Sequence, residues 1–415
     1  MADTLLEVPD AVARILADVR TLGSESVPLL AANGRVLATD AVATLTLPPW
    51  ANSAMDGYAV REQDVAQVPI TLRVVETVAA GRFPARAIGA GEATRIMTGA
   101  PVPDGADTVI RVEDTDGGVS TVEIRDARDV GKHVRPRGED IIEGRVAIPA
   151  GTVLGAAQLG VLASLGYGSI QCHRRPRVAI LASGDELVEL DRFDEVRAGR
   201  KIVSSNSVTL QALVRAAGGE PTYLGIAADT PESLRAHLER ARGFDLIITS
   251  AGISVGEYDF VRAVLEELGA EMKFWRVRMR PGAPIGFGLF DGSPWIGLPG
   301  NPVSTMVTFE LFARPAIRKM LGHTRLFRRP IVVELQESVT LNGALTHFLR
   351  AIVTVDGARA TARLTGPQGS GILTSMSLAN ALLIVPANRQ RVEAGELLHA
   401  FSIGDDAELA TTFAL

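Results

Sequence analysis

The stretch that most constrains this chain is a strand, a glycine-bearing loop and a helix written consecutively over residues 245–268. Residues 245–249, DLIIT, form a short β-branched apolar run of the kind buried on both faces of a parallel sheet. Ser250, Ala251, Gly252, Ile253, Ser254, Val255 and Gly256 follow, and their mostly small side chains fit a tight loop. Val261, Val264, Leu265 and Leu268 then fall at i, i+3, i+4 and i+7, the apolar face of a helix that ends near Gly269. In an open α/β sheet such a loop lies at the carboxyl edge, where ligands bind, and its free amides with the helix N-terminus attract an anion. Glu257 and Asp259 in the same place call for a bridging cation or a donor-rich ligand beside a phosphate.

The unit recurs, so the sequence predicts a multidomain α/β plus β protein whose α/β part is a doubly wound, mostly parallel sheet. Residues 178–182 run into Ser183, Gly184, Asp185 and Glu186. Residues 201–203 run into Ser204, Ser205 and Asn206 and a helix with Leu210, Leu213, Val214 and Ala217 on one face, closed by Gly218 and Gly219. Residues 223–226 lead to Asp229, with Thr230 as cap and Pro231 in the first turn. Residues 294–298 lead through Pro299, Gly300, Asn301, Pro302 and Ser304 into a helix reaching Phe312. Each loop alone could simply cap its helix. Together they bring Asp185, Glu186, Asp229, Glu257, Asp259 and Ser304 to one sheet edge, which favours a ligand site. Between these units Arg276, Arg278 and Arg280 alternate on a strand that breaks at Pro281 to Pro284, either a solvated face or a seat for an oxyanion.

The rest of the chain reads differently. Residues 5–22 are a helix with Val12, Ile15, Leu16 and Val19 on one face, and 27–43 a short strand and helix. Residues 47–60, LPPWANSAMDGYAV, cannot continue a helix or a central strand through their paired prolines, so an ordered loop is expected, with Asp56 as turn residue or site carboxylate. Short strands at 70–78, 94–97, 108–113, 119–124 and 146–148 make a β-rich segment without helices, and 158–165 is helical. Arg135, Arg137, Glu139 and Asp140 crowd one turn, which could be a salt-bridged surface or an oxyanion and metal site. From about residue 331 short strands return and form a small β-domain.

Composition narrows the function. A chain of 415 residues, 47% hydrophobic and 22% charged, can bury a large core in several domains. Its net charge of -6 argues against nucleic acid as a partner, because phosphate backbones demand clustered cations. One cysteine, Cys172, and histidines without ligand spacing leave oxygen ligands or a cofactor as the means of holding a metal. Acidic residues near the start and no long apolar run give no signal peptide or membrane span, so a cytoplasmic location is expected.

Six motifs in order, NSAMDGYAV at 52–60, RIMTGAPVP at 95–103, RGED at 137–140, SGDEL at 183–187, SAGISVGEYDF at 250–260 and GLPGNPVS at 297–304, resemble the molybdopterin molybdotransferases, which include the E domain of gephyrin. The resemblance covers nearly the whole chain. It implies insertion of molybdate into adenylylated molybdopterin, with Mg²⁺ and release of AMP. It also implies an elongated homodimer with the site shared between subunits. The corresponding domains are a molybdopterin-binding α/β domain at 1–23 and 175–325, a linker domain at 24–43 and 147–174, an inserted β-domain at 44–146 and a C-terminal β-barrel-like domain at 326–415.

Carried over residue by residue, the resemblance implies that Asp56, Thr98, Arg137 and Asp140 act from the inserted domain and Glu186, Asp229 and Asp259 from the α/β domain. The last three would bind Mg²⁺. Ser183, Gly184, Asp185, Asn206, Ser250, Gly252, Ser254, Gly256, Pro299 and Pro302 would hold the pterin, and Arg276, Arg280 and Ser304 the oxyanion. A molybdopterin adenylyltransferase and molybdoenzyme apoproteins are the implied partners. The chain departs from the family at Ala251, where a glycine is usual, at Ser204, usually acidic, and at Arg280 and Ala283, usually lysines. These departures bear on molybdate against tungstate. The alternatives are a related pterin or nucleotide transferase such as an adenylyltransferase, which would need only the α/β part, and a non-catalytic scaffold.

Overall fold

The computed structural model describes residues 5–251, 260–341, 343–357 and 359–404. The chain divides into two compact units, one of residues 1–25 and 171–415 and one of residues 26–170.

The larger unit is built on a six-stranded sheet. Its strands are β1 (Arg177–Ser183), β2 (Glu220–Ala227), β3 (Leu246–Ser250), β4 (Glu271–Arg276), β5 (Pro284–Phe290) and β6 (Ser293–Leu298), in the order β2-β1-β3-β6-β5-β4. β2, β1, β3 and β6 are parallel, and β6, β5 and β4 pair antiparallel. The helices packed on this sheet are α1 (Val8–Asp18), α2 (Ser205–Ala216), α3 (Pro231–Arg240), α4 (Phe260–Glu267), α5 (Pro302–Thr308) and α6 (Arg314–Met320), with a π-helical turn at Phe309–Ala313 joining the last pair; short helices at Phe193–Arg197 and Leu373–Ser377 lie outside this set.

The apolar runs explain this arrangement. All five residues of β3 are buried, as a strand covered on both faces requires. Ile180, Ile248 and Ile296 pack on one face with Ala11 and Ile15 of α1, Leu210 of α2 and Val303 of α5. Ala179, Leu181, Ile247 and Trp295 pack on the other with Leu234 of α3 and Val264 of α4. Each large side chain so buried stabilises the sheet by roughly 1.5–3 kcal/mol relative to exposure. Thr230 caps α3 through a bond from the Ser233 amide, and Pro231 occupies its first turn.

In the same unit, strands Ile331–Leu335, Thr346–Asp356, Arg359–Leu364, Ala381–Val385 and Leu397–Ser402 close on themselves. The ladder runs from 346–356 through 359–364, 331–335, 397–402 and 381–385 back to 346–356, forming a five-stranded barrel. Val333, Leu349, Ala351, Leu383 and Ala400 fill it. The short strand Met279–Arg280 pairs with Thr346 and His347 at its edge.

The smaller unit holds a five-stranded sheet in the order Thr108–Arg111, Gly57–Val60, Glu92–Ile96, Ile70–Val78, Thr121–Ile124. Tyr58, Val60 and Leu72 fill one side, Ala59, Ile96 and Val109 the other. The helix at Ala156–Ser164 and the pair of strands Ala41–Val42 and Val146–Ile148 complete it.

The expected elements recur with corrections. Gly57–Val60 is an inner strand rather than loop: the prolines end at Pro49, and the four buried residues after Asp56 pair on both sides. Ile202–Val203 leaves the main sheet and pairs with Leu187–Val188, because two residues are too few to span it. The break expected at Pro281 to Pro284 falls at 281–283, and Pro284 opens the strand Pro284–Phe290, where its first position needs no donor.

Candidate functional site

In the larger unit the parallel strands end at Ser183, Ala227, Ser250 and Leu298, and beside these ends opens a cavity of about 610 Å³. One wall is the ribbon of Leu187–Val188 and Ile202–Val203 with Glu186 at its start. The opposite wall is the segment Pro299, Gly300, Asn301 and Pro302 leading into α5, while Ser250 and Ala251 after β3 and Pro284 of β5 complete it.

Short loops fix the acidic residues. Gly184 adopts φ 144°, and a Cβ there would meet the Glu186 carboxylate at 2.6 Å, so only glycine leaves that carboxylate its place. The Asp185 amide donates to Asp229 Oδ2 at 3.2 Å and the Asp229 amide to Asp185 Oδ1 at 3.2 Å, a reciprocal clasp between the loops after β1 and β2. Lys201 Nζ donates to the Asp185 carbonyl. The ribbon carrying Glu186 is held by Ile202 N to Glu186 O at 2.9 Å and Ser204 N to Val188 O at 3.0 Å. Behind it Tyr223 of β2 donates its hydroxyl to Glu189 Oε1 at 2.7 Å, and burial, with Glu189 adding to it, pushes the phenol up.

Asn206, at the start of α2, spans the cavity's base: its Nδ2 donates to Ser250 Oγ at 2.8 Å and to Gly300 O at 2.7 Å. Ala251 takes φ 76°, the left-handed conformation for which glycine is the usual residue. Gly282, at φ 99°, would drive a Cβ to 2.4 Å from Thr308 Cγ2, so the segment after Arg280 lies against α5. Arg276 ends β4 opposite Pro284, Arg280 is exposed, and Ser304 is buried within α5. Glu186, Asn206, Ser250, Pro299 and Pro302 are thus cavity-wall residues, whereas Ser183 ends β1 and Gly184, Asp185 and Asp229 stand in the adjoining loops. Arg276, Arg280 and Ser304 are outside its described lining. Gly252, Ser254, Gly256, Glu257 and Asp259 lie outside the described residues.

Sequence reasoning passed over Arg350. It is fully buried on the barrel strand Thr346–Asp356 and donates to Ser375 Oγ at 3.0 Å, Gln368 O at 3.1 Å, Pro367 O at 3.3 Å and Gly369 O at 2.9 Å. The loop it grips continues to Ser370, whose carbonyl accepts from Val303 N at 3.1 Å, and to Gly371 at the cavity wall. The available signal was an arginine set among apolar neighbours, FLRAIV, followed by the glycine-rich GPQGSG.

In the smaller unit Thr98 donates to Asp56 Oδ1 from its amide at 2.6 Å and its hydroxyl at 2.7 Å. These bonds hold the exposed Asp56 carboxyl below the usual carboxylate range. Arg137 and Asp140 flank a turn pinned to the start of the same motif, through Gly138 N to Pro48 O at 3.0 Å and Asp140 N to Leu47 O at 3.1 Å. Asn52–Ser53 pairs with Val134–Arg135, so both predicted segments of this unit run side by side.

The described acidic residues include no group of three or more arranged to hold a metal. Asp229 spends one oxygen on an amide, leaving Glu186 and Asp229 as partial donors. No helix among the described residues is long and apolar enough to cross a membrane.

An α/β domain with a cavity at its parallel strand ends, a closed barrel and a second β-rich unit define a class already seen in crystals. The molybdopterin biosynthesis moeA protein from Pyrococcus horikoshii OT3 superposes with a TM-score of 0.84 at 28% identity, covering 96% of this chain and 100% of that one. Residues 6–166 match the MoeA N-terminal region (domain I and II), 179–319 the probable molybdopterin binding domain and 332–400 the MoeA C-terminal region (domain IV). The molybdopterin molybdenumtransferase of Nostoc sp. is 38% identical over 384 residues, 90% of this chain and 87% of that protein. Molybdopterin molybdenumtransferase 2 of Mycobacterium tuberculosis is 39% identical over 401 residues, 94% and 98% of the respective chains. The chain belongs to this molybdopterin molybdenumtransferase family, a family of transferases in molybdenum cofactor biosynthesis.

Proposed function

We propose that this chain inserts molybdate into adenylylated molybdopterin, with Mg²⁺, releasing AMP and the molybdenum cofactor. The observation that carries the reading is the cavity at the parallel strand ends, where Glu186, Asn206, Ser250 and the Pro299 to Pro302 segment meet. The names borne by relatives 38–39% identical support it.

In this reading the loops at 183–186 and 250–256 hold the pterin and its phosphates through backbone amides. Glu186, Asp229 and Asp259 hold Mg²⁺, which when bound neutralises phosphate charge. Arg276 and Arg280 supply the fixed positive charge that a molybdate dianion needs, with Ser304 as a further donor. Asp56, lowered by its two bonds from Thr98, is ionised at neutral pH and able to accept a proton or orient a donor. With Arg137 and Asp140 it completes the site from the partner subunit of a homodimer. The domains are 1–23 with 175–325, 24–43 with 147–174, 44–146 and 326–415, and the enzyme works in the cytoplasm.

AMP release by the purified protein with Mg²⁺ tests this, comparing no oxyanion, molybdate and tungstate. Release that depends on one oxyanion is expected. Asp56→Ala and Glu186→Ala are expected to fold and to release none. Unchanged turnover in both variants would remove the assignment of these residues, and no release by the wild type under any condition would remove the transferase reading.

A further inference from the structure

We propose that Arg318 and Arg328, with Arg314 beside them, form a binding site for a tetrahedral oxyanion, a phosphate or sulfate group, at the junction of α6 with the barrel. None of the three is in the cavity lining, and the site is independent of the reaction assigned there.

The sequence concentrates positive charge at this junction. Between Glu310 and Glu334 stand Arg314, Arg318, Lys319, Arg325, Arg328 and Arg329 and no acidic residue, in a chain whose net charge is -6. Glu310 belongs to the π-helical turn Phe309–Ala313, and such turns are rare and concentrate at functional sites. Arg314 and Arg318, four residues apart in α6, share one face of it.

The carboxylate supply is short. Buried Glu310 takes Arg328 Nε at 2.6 Å and Arg314 Nε at 3.5 Å on the same oxygen, Oε1. Arg318 has only neutral partners among the described residues: its Nε donates to Arg325 O at 3.0 Å and its Nη2 to His323 Nδ1 at 3.2 Å. A guanidinium can only donate, so Nδ1 accepts, the imidazole hydrogen sits on Nε2, and His323 is neutral. Arg318 is pushed down, by burial first and then by Arg314 and Arg328, which places the three cations within reach of one another. All three are half-buried, where repulsion between like charges is screened less than in open water.

An anion relieves that crowding. The bonds above use two of the five hydrogens of Arg318 and one of those of Arg328, so both forks keep donors to give. A tetrahedral group offers four oxygens to two planar forks, and its double charge suits the excess of cations. Seated there, it ties α6 to the segment that leads into the first barrel strand, Ile331–Leu335.

Calorimetric titration of the full-length protein with inorganic phosphate and with sulfate, against chloride at matched ionic strength, tests this. Saturable binding with a Kd of about 1 mM or tighter is expected, the tighter arm naming the ligand. The same anion should raise the melting temperature above that in chloride. Arg318→Gln and Arg328→Gln should each weaken binding about tenfold or more and lose the anion-dependent rise. Arg318→Lys, which keeps the charge without the fork, should bind with intermediate affinity. The double variant Arg276→Gln with Arg280→Gln, which removes the cations assigned to the reaction, should bind like the wild type. Melts in chloride report folding, and should Arg318→Gln fold poorly, Arg328→Gln decides. No saturable binding by the wild type, unchanged binding by the Arg328→Gln variant, or its loss in the Arg276 and Arg280 double variant overturns the proposal.

Discussion

Replacing Arg350 is the sharpest test of how the barrel supports the cavity. Its guanidinium is fully buried, and burial pushes its pKa down to about 10. Its listeners are neutral: Ser375 Oγ and the carbonyls of Pro367, Gln368 and Gly369. Arg350→Met keeps the length of the stem but strands these acceptors in a dry interior. Hydrogen bonds from a charged donor contribute roughly 1.5–3 kcal/mol each, partly offset by the cost of burying the charge. Leaving several buried acceptors unmade should therefore cost about 3–5 kcal/mol net. For a unit of this size that corresponds to a fall in melting temperature of roughly 6–20 °C, at about 2–4 °C per kcal/mol. Because the gripped loop runs on to Gly371, ligand affinity in the cavity should fall as well. Urea unfolding and thermal melts of the variant and of Arg350→Lys, which restores one or two donors and should recover part of the loss, measure this. A loss below about 1 kcal/mol in Arg350→Met would show that the carbonyls find other donors and that the clamp does not hold the loop.

The remaining expectations concern backbone and charge. Ala251→Gly should stabilise by about 1 kcal/mol, because φ 76° is strained for alanine; unchanged urea midpoints would count against strain there. Gly57→Ala should destabilise by more than about 4 kcal/mol or prevent folding, because a Cβ would lie 2.0 Å from Ile110 O on the neighbouring strand; circular dichroism and soluble yield report it. Gly184→Ala should displace the Glu186 carboxylate, lowering AMP release far more than the melting temperature. His323 is pushed down to about 4, first by burial and then by Arg318 and Arg314. The unfolded chain therefore takes up a proton that the folded state refuses, so stability should hold above pH 7 and fall from about pH 6.5 toward 4. His323→Leu should flatten that slope in urea titrations across the range.

Much of the fold was legible because parallel strands advertise themselves. Runs such as 178–182, 245–249 and 294–298 are apolar on both faces, and each ends in polar residues that can neither stay in a core nor extend a strand. The inner strand Gly57–Val60 was hidden because its signal is diluted: GYAV is short, begins with glycine and follows two prolines. What makes it a strand is tertiary, since Ile96 and Ile110 pair on either side of it. β5 was hidden for a related reason, its glycines at 286 and 288 being demanded by Trp295 and by Glu271 O, neither of which is local.

The site was legible in kind and less so in arrangement. Motif residues supplied the chemistry, but the cavity takes its shape from contacts between residues far apart in the chain. Asn206 reaches Gly300, Asp185 clasps Asp229, and Arg350 holds the loop that carries Gly371. No periodicity records such pairs. The departure at Ala251 shows how the two levels meet: sequence marks it as an alanine where glycine is usual, and structure gives it φ 76° one residue after Ser250. The strain of that conformation, about 1 kcal/mol or more, falls at the mouth of the loop expected to hold the phosphates. Ser250 itself is held at the cavity wall by the bond it accepts from Asn206. Ala251→Gly, by relaxing that conformation, should therefore gain stability while the Asn206 bond keeps Ser250 in place at the cavity wall.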